Sequence, residues 1–377
     1  MAAYSFTAKP AGSLISYFSN LVKTNGGINL AQGIPGFQPP IELIEILKQT
    51  ADSNIHQYAP GIGNFNLLNQ LSTTYNVELD NLLVVQGATE GLSLIYTYLL
   101  KKLKGNFAVM AIEPAYESYS QLPAIFGQKF VGFTPSNGNI DLTEFRKKVV
   151  DNNIRVVFIA SPGNPYGIVL AEREINAILK MAEELGFYVV LDMVYRELYF
   201  ETKPYLPILG KSQNLFYVNS FSKSLCITGW RVGYVIASTD NMVGLRAIHD
   251  YIGLCAPSLL QEALAQFLIQ NDNGNAFIAN FRENIKSNFI LMSQGLKELG
   301  FQIPPTHGGC FVWSKLPAEI PDGFSFANEL YSKTKVAIIP GEHFGQNYSS
   351  WVRLNIARET KEVEVGLAHI SKFVKEH

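Results

Sequence analysis

Three hydrophobic segments limit the possible folds of this chain most, because each is followed by a side chain that can bind a ligand or take part in a reaction. The segments span residues 155–160, 187–191 and 215–218. They are followed by Asn164, Asp192 and Lys223, in that order. Short apolar runs bounded by turn residues are typical of buried strands. Since open parallel sheets bind ligands at the carboxyl ends of their strands, we expect these three side chains to face one site.

Strand-like and helical segments alternate over most of the chain. Further strand-like runs occupy residues 82–85, 107–112 and 231–236, and helical periodicity occupies residues 41–53, 64–75, 88–102 and 171–185. This alternation predicts an α/β fold, with a mainly parallel central sheet covered by helices on both faces. Residues 14–22 predict a short amphipathic helix in an N-terminal arm. Long helices at about 260–300, followed by strand-like runs at 310–313, 336–339 and 352–356, predict a smaller α+β lobe.

The surroundings of Lys223 indicate a cofactor. A lysine near the end of a buried strand is poorly solvated, so its pKa falls and its amine can attack a carbonyl. An aldehyde cofactor would then be captured as a Schiff base. The nearby hydroxyls of Ser220 and Ser222 and the guanidinium of Arg231 are groups that bind phosphate. Together they predict that Lys223 holds pyridoxal 5'-phosphate. A surface lysine in a polar turn is the alternative.

In their order and spacing, four motifs resemble those of the PLP-dependent class I and II aminotransferases of fold type I, the aspartate aminotransferase superfamily. The motifs are Asn164-Pro165-Tyr166-Gly167, Asp192 with Tyr195, Ser220-Phe221-Ser222-Lys223 with Gly229-Trp230-Arg231-Val232-Gly233, and Arg353-Leu354. The likeness extends from about Asn29 to Arg358 and is greatest for the kynurenine, glutamine and methionine aminotransferase branch. It implies a large PLP-binding domain at 41–270 and a small C-terminal domain at 271–377. Residues 1–40 would form an N-terminal arm and part of the small domain.

The resemblance implies how the cofactor ring would be held. Asp192 would pair with the pyridine nitrogen and keep it protonated, which deepens the electron sink. Asn164 and Tyr195 would donate hydrogen bonds to the phenolate oxygen, and Tyr116 would stack on the ring. Ordinary turn and packing roles are the alternative for each of these residues.

The resemblance also implies the phosphate site. Gly87, Ala88 and Thr89 open a helix, whose free N–H groups would bind the phosphate together with Ser220, Ser222 and Arg231. Tyr58 would reach the phosphate of a neighbouring subunit, which implies a homodimer.

Arg353 resembles the family arginine that binds the substrate α-carboxylate, and Arg358 is its main rival. Gly33 and Asn164 would assist there. Tyr17 and Phe18 on the arm, together with Tyr116, are expected to line an aromatic or thioether pocket.

The activity implied is a ping-pong transamination between amino acid and 2-oxo acid substrates. Lys223, Asp192 and Tyr195 are its expected catalytic residues, and Lys223 would serve as the general acid and base. Residues 253–261 contain no arginine that could bind a second substrate carboxylate, so we expect a neutral donor: aromatic, methionine-like or glutamine-like. A β- or γ-eliminating lyase of the C–S lyase type, or a cyclising enzyme, would use the same constellation and stays open. A silent regulatory domain is disfavoured, because the chain has no net positive charge and no N-terminal extension for a DNA-binding module.

Composition excludes several other classes of partner. The net charge is −2 and the pI is about 6.3, so neither nucleic acid nor a membrane surface is an expected partner. Cys226, Cys255 and Cys310 are scattered and the histidines are dispersed, so neither a disulfide framework nor a metal site is expected. The sequence has no recognisable signal peptide and no apolar run of membrane-spanning length. We therefore expect a cytoplasmic protein.

Overall fold

Helices and strands alternate along the chain in the computed structural model, which describes residues 10, 12–136 and 138–376. The α-helices of these residues are α1 (Leu14–Asn25), α2 (Ile41–Ala51), α3 (Phe65–Tyr75), α4 (Ala88–Leu103), α5 (Ser118–Ile125), α6 (Leu142–Asp151), α7 (Glu172–Leu185), α8 (Thr239–Ile252), α9 (Ser258–Gln270), α10 (Asn275–Glu298), α11 (Gly323–Thr334) and α12 (Thr360–Lys375). The strands are β1 (Ile28–Asn29), β2 (Leu82–Val85), β3 (Ala108–Ile112), β4 (Lys129–Phe133), β5 (Ile154–Ala160), β6 (Tyr188–Asp192), β7 (Leu215–Ser220), β8 (Gly233–Ile236), β9 (Phe311–Lys315), β10 (Val336–Ala337), β11 (Ile339–Pro340) and β12 (Trp351–Asn355).

The central sheet contains seven strands in the order β2-β8-β7-β6-β5-β3-β4. Strands β7, β6, β5, β3 and β4 pair in parallel, whereas β8 runs antiparallel to both of its neighbours. Residues 221–232, which join β7 to β8, carry a short 3-10 turn and no α-helix, so the chain returns antiparallel. The predicted mainly parallel sheet is confirmed.

Both faces of this sheet are covered by helices, as predicted. Adjacent strand residues point to opposite faces. Val157 therefore joins a core with α2, α3, α6, α7 and α9, and Phe158 joins a second core with α4, α5 and α8. Burial of the strands on both sides explains why their sequences are continuously apolar rather than alternating.

A third core unites the two ends of the chain. Helix α1 packs with α10, α11, α12 and the antiparallel sheet β11-β12-β9. Strand β1 pairs in parallel with β10, joining Ile28 to Val336. The N-terminal arm is thus held by the C-terminal elements, while the exact domain boundaries remain a prediction. No helix in the described ranges combines the length and apolarity needed to cross a bilayer.

Two parts of the fold differ from the sequence analysis. The single strand expected at 336–339 is wrong, because the chain changes sheets at Ile338 and forms β10 and β11 on either side of it. Helices α5, α6 and α8 and strands β1 and β4 were not predicted. Strand β4 lies at the sheet edge and is only partly buried, and α5 contains Pro123, so neither carries a strong periodic pattern.

Candidate active site

A cavity of about 250 Å³ lies at the carboxyl ends of the parallel strands, where α/β sheets bind ligands. Its lining joins the central sheet, the N-terminus of α4, the segment after β1 and strand β12. Most of the predicted site residues line it, namely Gly33, Ala88, Thr89, Tyr116, Asn164, Asp192, Tyr195, Ser220, Ser222, Lys223, Arg231 and Arg353.

Lys223 lies at the centre of this constellation. Its Nζ donates a hydrogen bond of 2.6 Å to the carbonyl oxygen of Gly33 and lies 5.9 Å from the centre of the Tyr195 ring. Burial lowers the pKa of the Lys223 ammonium, and the positive charges of Arg353 and Arg231 lower it further. The geometry thus favours the neutral amine that a nucleophile or a general base requires.

Asp192 ends strand β6 as a buried carboxylate. Its Oδ2 accepts a 2.7 Å hydrogen bond from the Tyr119 hydroxyl and its Oδ1 accepts one of 3.2 Å from the Val194 N–H. Burial raises the pKa of Asp192 to about 6, against the lowering effect of the Tyr119 bond. Sequence analysis did not identify Tyr119. Its three-residue spacing from Tyr116, whose ring lies 5.8 Å away, is the signal that could have found it.

The loop before α4 packs closely against the side chain of Arg231. Gly87 has φ of 81°, and a Cβ there would lie 2.5 Å from Nη2 of Arg231. The Arg231 guanidinium is held by the carbonyl oxygens of Thr228 and Gln86, each at 3.1 Å. Arginine therefore faces the free N–H groups at the N-terminus of α4, and both attract an anion.

Arg353 is fully buried at the other end of the cavity. Its Nη1 donates a 2.8 Å hydrogen bond to Asn164 Oδ1, and its Nη2 donates to the Ala31 carbonyl. The guanidinium carbon lies 4.2 Å from the Phe311 ring centre and 4.9 Å from that of Phe344. Burial lowers the pKa of Arg353 to about 10, so the side chain stays charged at neutral pH.

Arg358, the rival for the substrate carboxylate, does not line the cavity. Its Nη2 instead donates a 2.7 Å hydrogen bond to the carbonyl oxygen of Asn29, which ties the arm to the C-terminal region. The geometry favours Arg353 over Arg358 for the carboxylate.

The structure does not bring Tyr17 or Phe18 to the cavity, contrary to expectation. Phe18 is fully buried in the third core, and Tyr17 packs against that core with its ring 5.1 Å from the Phe18 ring. Ile15 on the same helix lines the cavity instead. Residues two apart on a helix differ by about 200° in direction, so Ile15 and Tyr17 point to nearly opposite sides.

Besides Tyr119 and Ile15, two further groups at or near the cavity were not identified from the sequence. Glu117 lines the cavity; its Oε1 accepts a 3.0 Å hydrogen bond from Ser13 Oγ and its Oε2 lies 3.1 Å from His343 Nε2. Cys310 is buried near Lys223 and Arg353 without lining the cavity itself, and burial raises the pKa of its thiol to about 11. Nothing in the sequence links positions so far apart, so only the fold could reveal these contacts.

Tyr58 is the predicted site residue farthest from this arrangement. Its side chain is 82% exposed and does not line the cavity of its own chain. Its role toward a neighbouring subunit stays a prediction.

The residues present fit pyridoxal phosphate. The phosphate would find a helix N-terminus, two serine hydroxyls and an arginine; the ring nitrogen would find a buried carboxylate; the aldehyde would find a buried lysine amine. Gly87 allows Arg231 to lie against the loop before α4, because a side chain at this position would collide with the guanidinium.

Comparisons with known proteins agree with this chemistry. A family model described as aminotransferase class I and II matches residues 25–370. The chain is 27% identical to a probable aspartate aminotransferase of Methanocaldococcus jannaschii, over 93% of this chain and 94% of that protein. It is 28% identical to a probable N-succinyldiaminopimelate aminotransferase of Mycobacterium tuberculosis, over 89% of this chain and 86% of that protein.

A solved structure shares the fold throughout. The N-succinyldiaminopimelate aminotransferase structure from Mycobacterium tuberculosis superposes with a TM-score of 0.87 at 26% identity, covering 98% of this chain and all of that one. The predicted fold type I architecture is therefore confirmed. With a family model that spans nearly its whole length, the chain belongs to the class I and II aminotransferases.

Proposed function

We propose that this aminotransferase uses pyridoxal phosphate to move the amino group of a neutral L-amino acid to a 2-oxo acid, by a ping-pong mechanism. The preferred donor is aromatic, methionine-like or glutamine-like. The observation that carries the proposal is one cavity that joins Lys223, Asp192 and Arg353. These three supply an amine, a carboxylate and a cation, which are the groups needed to bind an amino acid and move its α-proton.

Pyridoxal phosphate, when bound, supplies an aldehyde and an electron-withdrawing ring that acidifies the α-carbon of an amino acid. Ala88, Thr89, Ser220, Ser222 and Arg231 would hold its phosphate. Asp192 would hold a proton on the ring nitrogen, and the Tyr119 hydroxyl would keep that carboxylate in place. Since Asn164 Oδ1 accepts from Arg353, its Nδ2 is left to donate, alongside the Tyr195 hydroxyl, to the ring oxygen.

Arg353 and Lys223 would handle the substrate itself. Arg353 would bind the α-carboxylate bidentately and so fix the direction of the bond from the α-carbon to its hydrogen. The Lys223 Nζ would accept that proton and pass it, on the same side, to the carbon that the cofactor's aldehyde supplies, as a general acid and base with a lowered pKa. Arg353 would thus orient the substrate, and Lys223 would transfer its proton.

The lining of the cavity supports a neutral donor. Ile15, Ile34 and Tyr116 offer apolar surface to a substrate side chain. Arg231 and Arg353, the two arginines among the described lining residues, are assigned to the phosphate and the α-carboxylate. A second substrate carboxylate would need another cation. Because the Methanocaldococcus relative is called a probable aspartate aminotransferase, aspartate is the donor to test against.

The test is a panel of single amino acids added to the PLP-loaded enzyme. Phenylalanine, methionine, kynurenine or glutamine is expected to change the visible absorbance of the bound cofactor, and a 2-oxo acid is expected to restore it. Aspartate should react with a lower kcat/KM. Faster reaction of aspartate would contradict the donor class. Pyruvate and ammonia from sulfur amino acids, without any need for a 2-oxo acid, would identify a lyase.

We also propose a homodimer in which Tyr58 contacts the cofactor phosphate of the partner. The phosphate end of the cavity is open in the single chain, where Thr89 and Arg231 are exposed. Tyr58 is 82% exposed and Tyr251 93% exposed. A partner chain would cover these aromatic side chains and would close the open end.

Light scattering is expected to give the mass of a dimer. Tyr58→Phe should weaken pyridoxal phosphate binding by about tenfold, the effect of one hydrogen bond to a charged group. Tyr251→Phe removes a hydroxyl from another exposed tyrosine and serves as the control. A monomer in solution, or equal effects of the two variants, would refute this assignment.

A further inference from the structure

Glu117 places a negative charge beside the substrate position. Its carboxylate lines the same cavity as Arg353, Ile15 and Tyr116, and its side chain is 24% exposed. Although burial alone would raise the pKa of Glu117, the nearby His343 ring, the hydrogen bond from Ser13 and the positive charge of Arg353 together lower it. The carboxylate is therefore ionised at neutral pH. A bound substrate would therefore lie near the negative charge of Glu117 as well as the positive charge of Arg353.

The Glu117 carboxylate is held in place from two sides. Ser13, just before α1, donates to one of its oxygens at 3.0 Å, and His343, in the turn after β11, lies 3.1 Å from the other. His343 is itself buried, with only 6% of its side chain exposed. A carboxylate has about four acceptor positions, so these partners leave capacity for a ligand. Glu117 is thus oriented before a substrate arrives.

We propose that Glu117 determines substrate specificity: it rejects amino acids and 2-oxo acids whose side chain ends in a carboxylate, and selects neutral side chains that end in an N–H donor. Such donors are the amide of glutamine or an aryl amine. The inference rests on the proposed function and names its substrate class more closely. Like charges repel strongly in a partly desolvated cavity, while an N–H donor gains a charge-assisted hydrogen bond. One side chain can therefore provide both the repulsive and the attractive contribution.

A purely structural role for Glu117 makes a different prediction. If Glu117 only tied Ser13 and His343 together, its loss would change the reaction of every substrate by the same factor. The informative quantity is therefore the ratio of kcat/KM between two substrates, because a general loosening of the site would leave this ratio unchanged.

The experiment compares Glu117→Gln with Glu113→Gln. Both remove a partly buried carboxylate from the segment between β3 and α5, but Glu113 packs against Gly132 of β4 and does not line the cavity. In Glu117→Gln, kcat/KM for aspartate relative to methionine should rise at least tenfold, and that for glutamine relative to methionine should fall about threefold. Glu113→Gln should leave both ratios at the wild-type value. Unchanged ratios in Glu117→Gln would overturn the inference.

A binding measurement separates this inference from the proposed function. Succinate and butyrate have the same number of carbons and differ by one carboxylate, and calorimetry measures both without turnover. Glu117→Gln should bind succinate at least tenfold more tightly and butyrate with unchanged affinity. If the wild type transfers no amino group but this shift occurs, the proposed function fails and the inference stands. If the wild type transaminates and the shift is absent, the inference fails and the proposed function stands.

A second variant guards against a misfolded Glu117→Gln protein. His343→Gln keeps the Glu117 carboxylate and replaces only the neighbouring ring. The kcat/KM for aspartate relative to methionine should then not rise above that of the wild type. A rise would overturn the inference.

Discussion

Lys223→Ala is expected to lower kcat by a factor of about 10⁴ or more, because proton transfer by a positioned side chain contributes up to about 10⁴ and the covalent attachment point is lost as well. Its hydrogen bond in the structure is the one to the Gly33 carbonyl, so the fold should survive its removal. Turnover with the best donor of the panel, circular dichroism and the melting temperature measure the two effects separately.

Lys211→Ala is the matched control, since Lys211 is an exposed lysine away from the cavity. It should keep wild-type kcat. Full activity in Lys223→Ala would refute the mechanism, and loss of activity in both variants would show that the effect is not specific to position 223.

Arg353→Leu is expected to lower kcat/KM by about 10³, with a higher KM, a lower kcat and unchanged cofactor content. Loss of a buried, hydrogen-bonded charge pair typically costs about 3–5 kcal/mol. Leucine can pack against Phe311 and Phe344, but Asn164 Oδ1 and the Ala31 carbonyl lose a donor. We therefore also expect a lower melting temperature, by an amount that reflects about 1–3 kcal/mol for each unsatisfied group.

Arg358→Leu provides the comparison for the Arg353 variant. It removes a hydrogen bond to the Asn29 carbonyl outside the cavity, so it should affect stability more than kcat/KM. If Arg358→Leu alone raised KM, the carboxylate would bind at Arg358 and the assignment to Arg353 would be wrong.

The architecture was predictable from the sequence where burial is complete. Strands β5, β6 and β7 each contain a run of at least four consecutive apolar residues, and the ends of these runs indicated where Asn164, Asp192 and Lys223 would lie. The edge strand β4 escaped detection because its residues are only partly buried. The change of sheet at Ile338 was also unpredictable, because β10 and β11 bury their residues equally and no pattern separates them.

The site was predictable where function depends on a short motif. The prediction that Tyr17 lines the cavity was wrong because either side of the arm helix could face the cavity. The sequence does not indicate which side of this helix packs against elements far along the chain. The contact of Glu117 with His343 joins residues more than two hundred positions apart. Contacts of that kind depend on the packing of domains, which local patterns do not encode.

Strand β2 has a consequence for how the enzyme is made. It lies at the sheet edge and pairs only with β8, joining Leu82 to Ile236. The turn at Gly87 follows β2, so it lacks the support of β8 until the ribosome has added some 150 further residues, which takes about 8–30 s. Arg353 follows later still. If the enzyme uses pyridoxal phosphate as proposed, we therefore expect the cofactor to bind only after strand β8 has been synthesised.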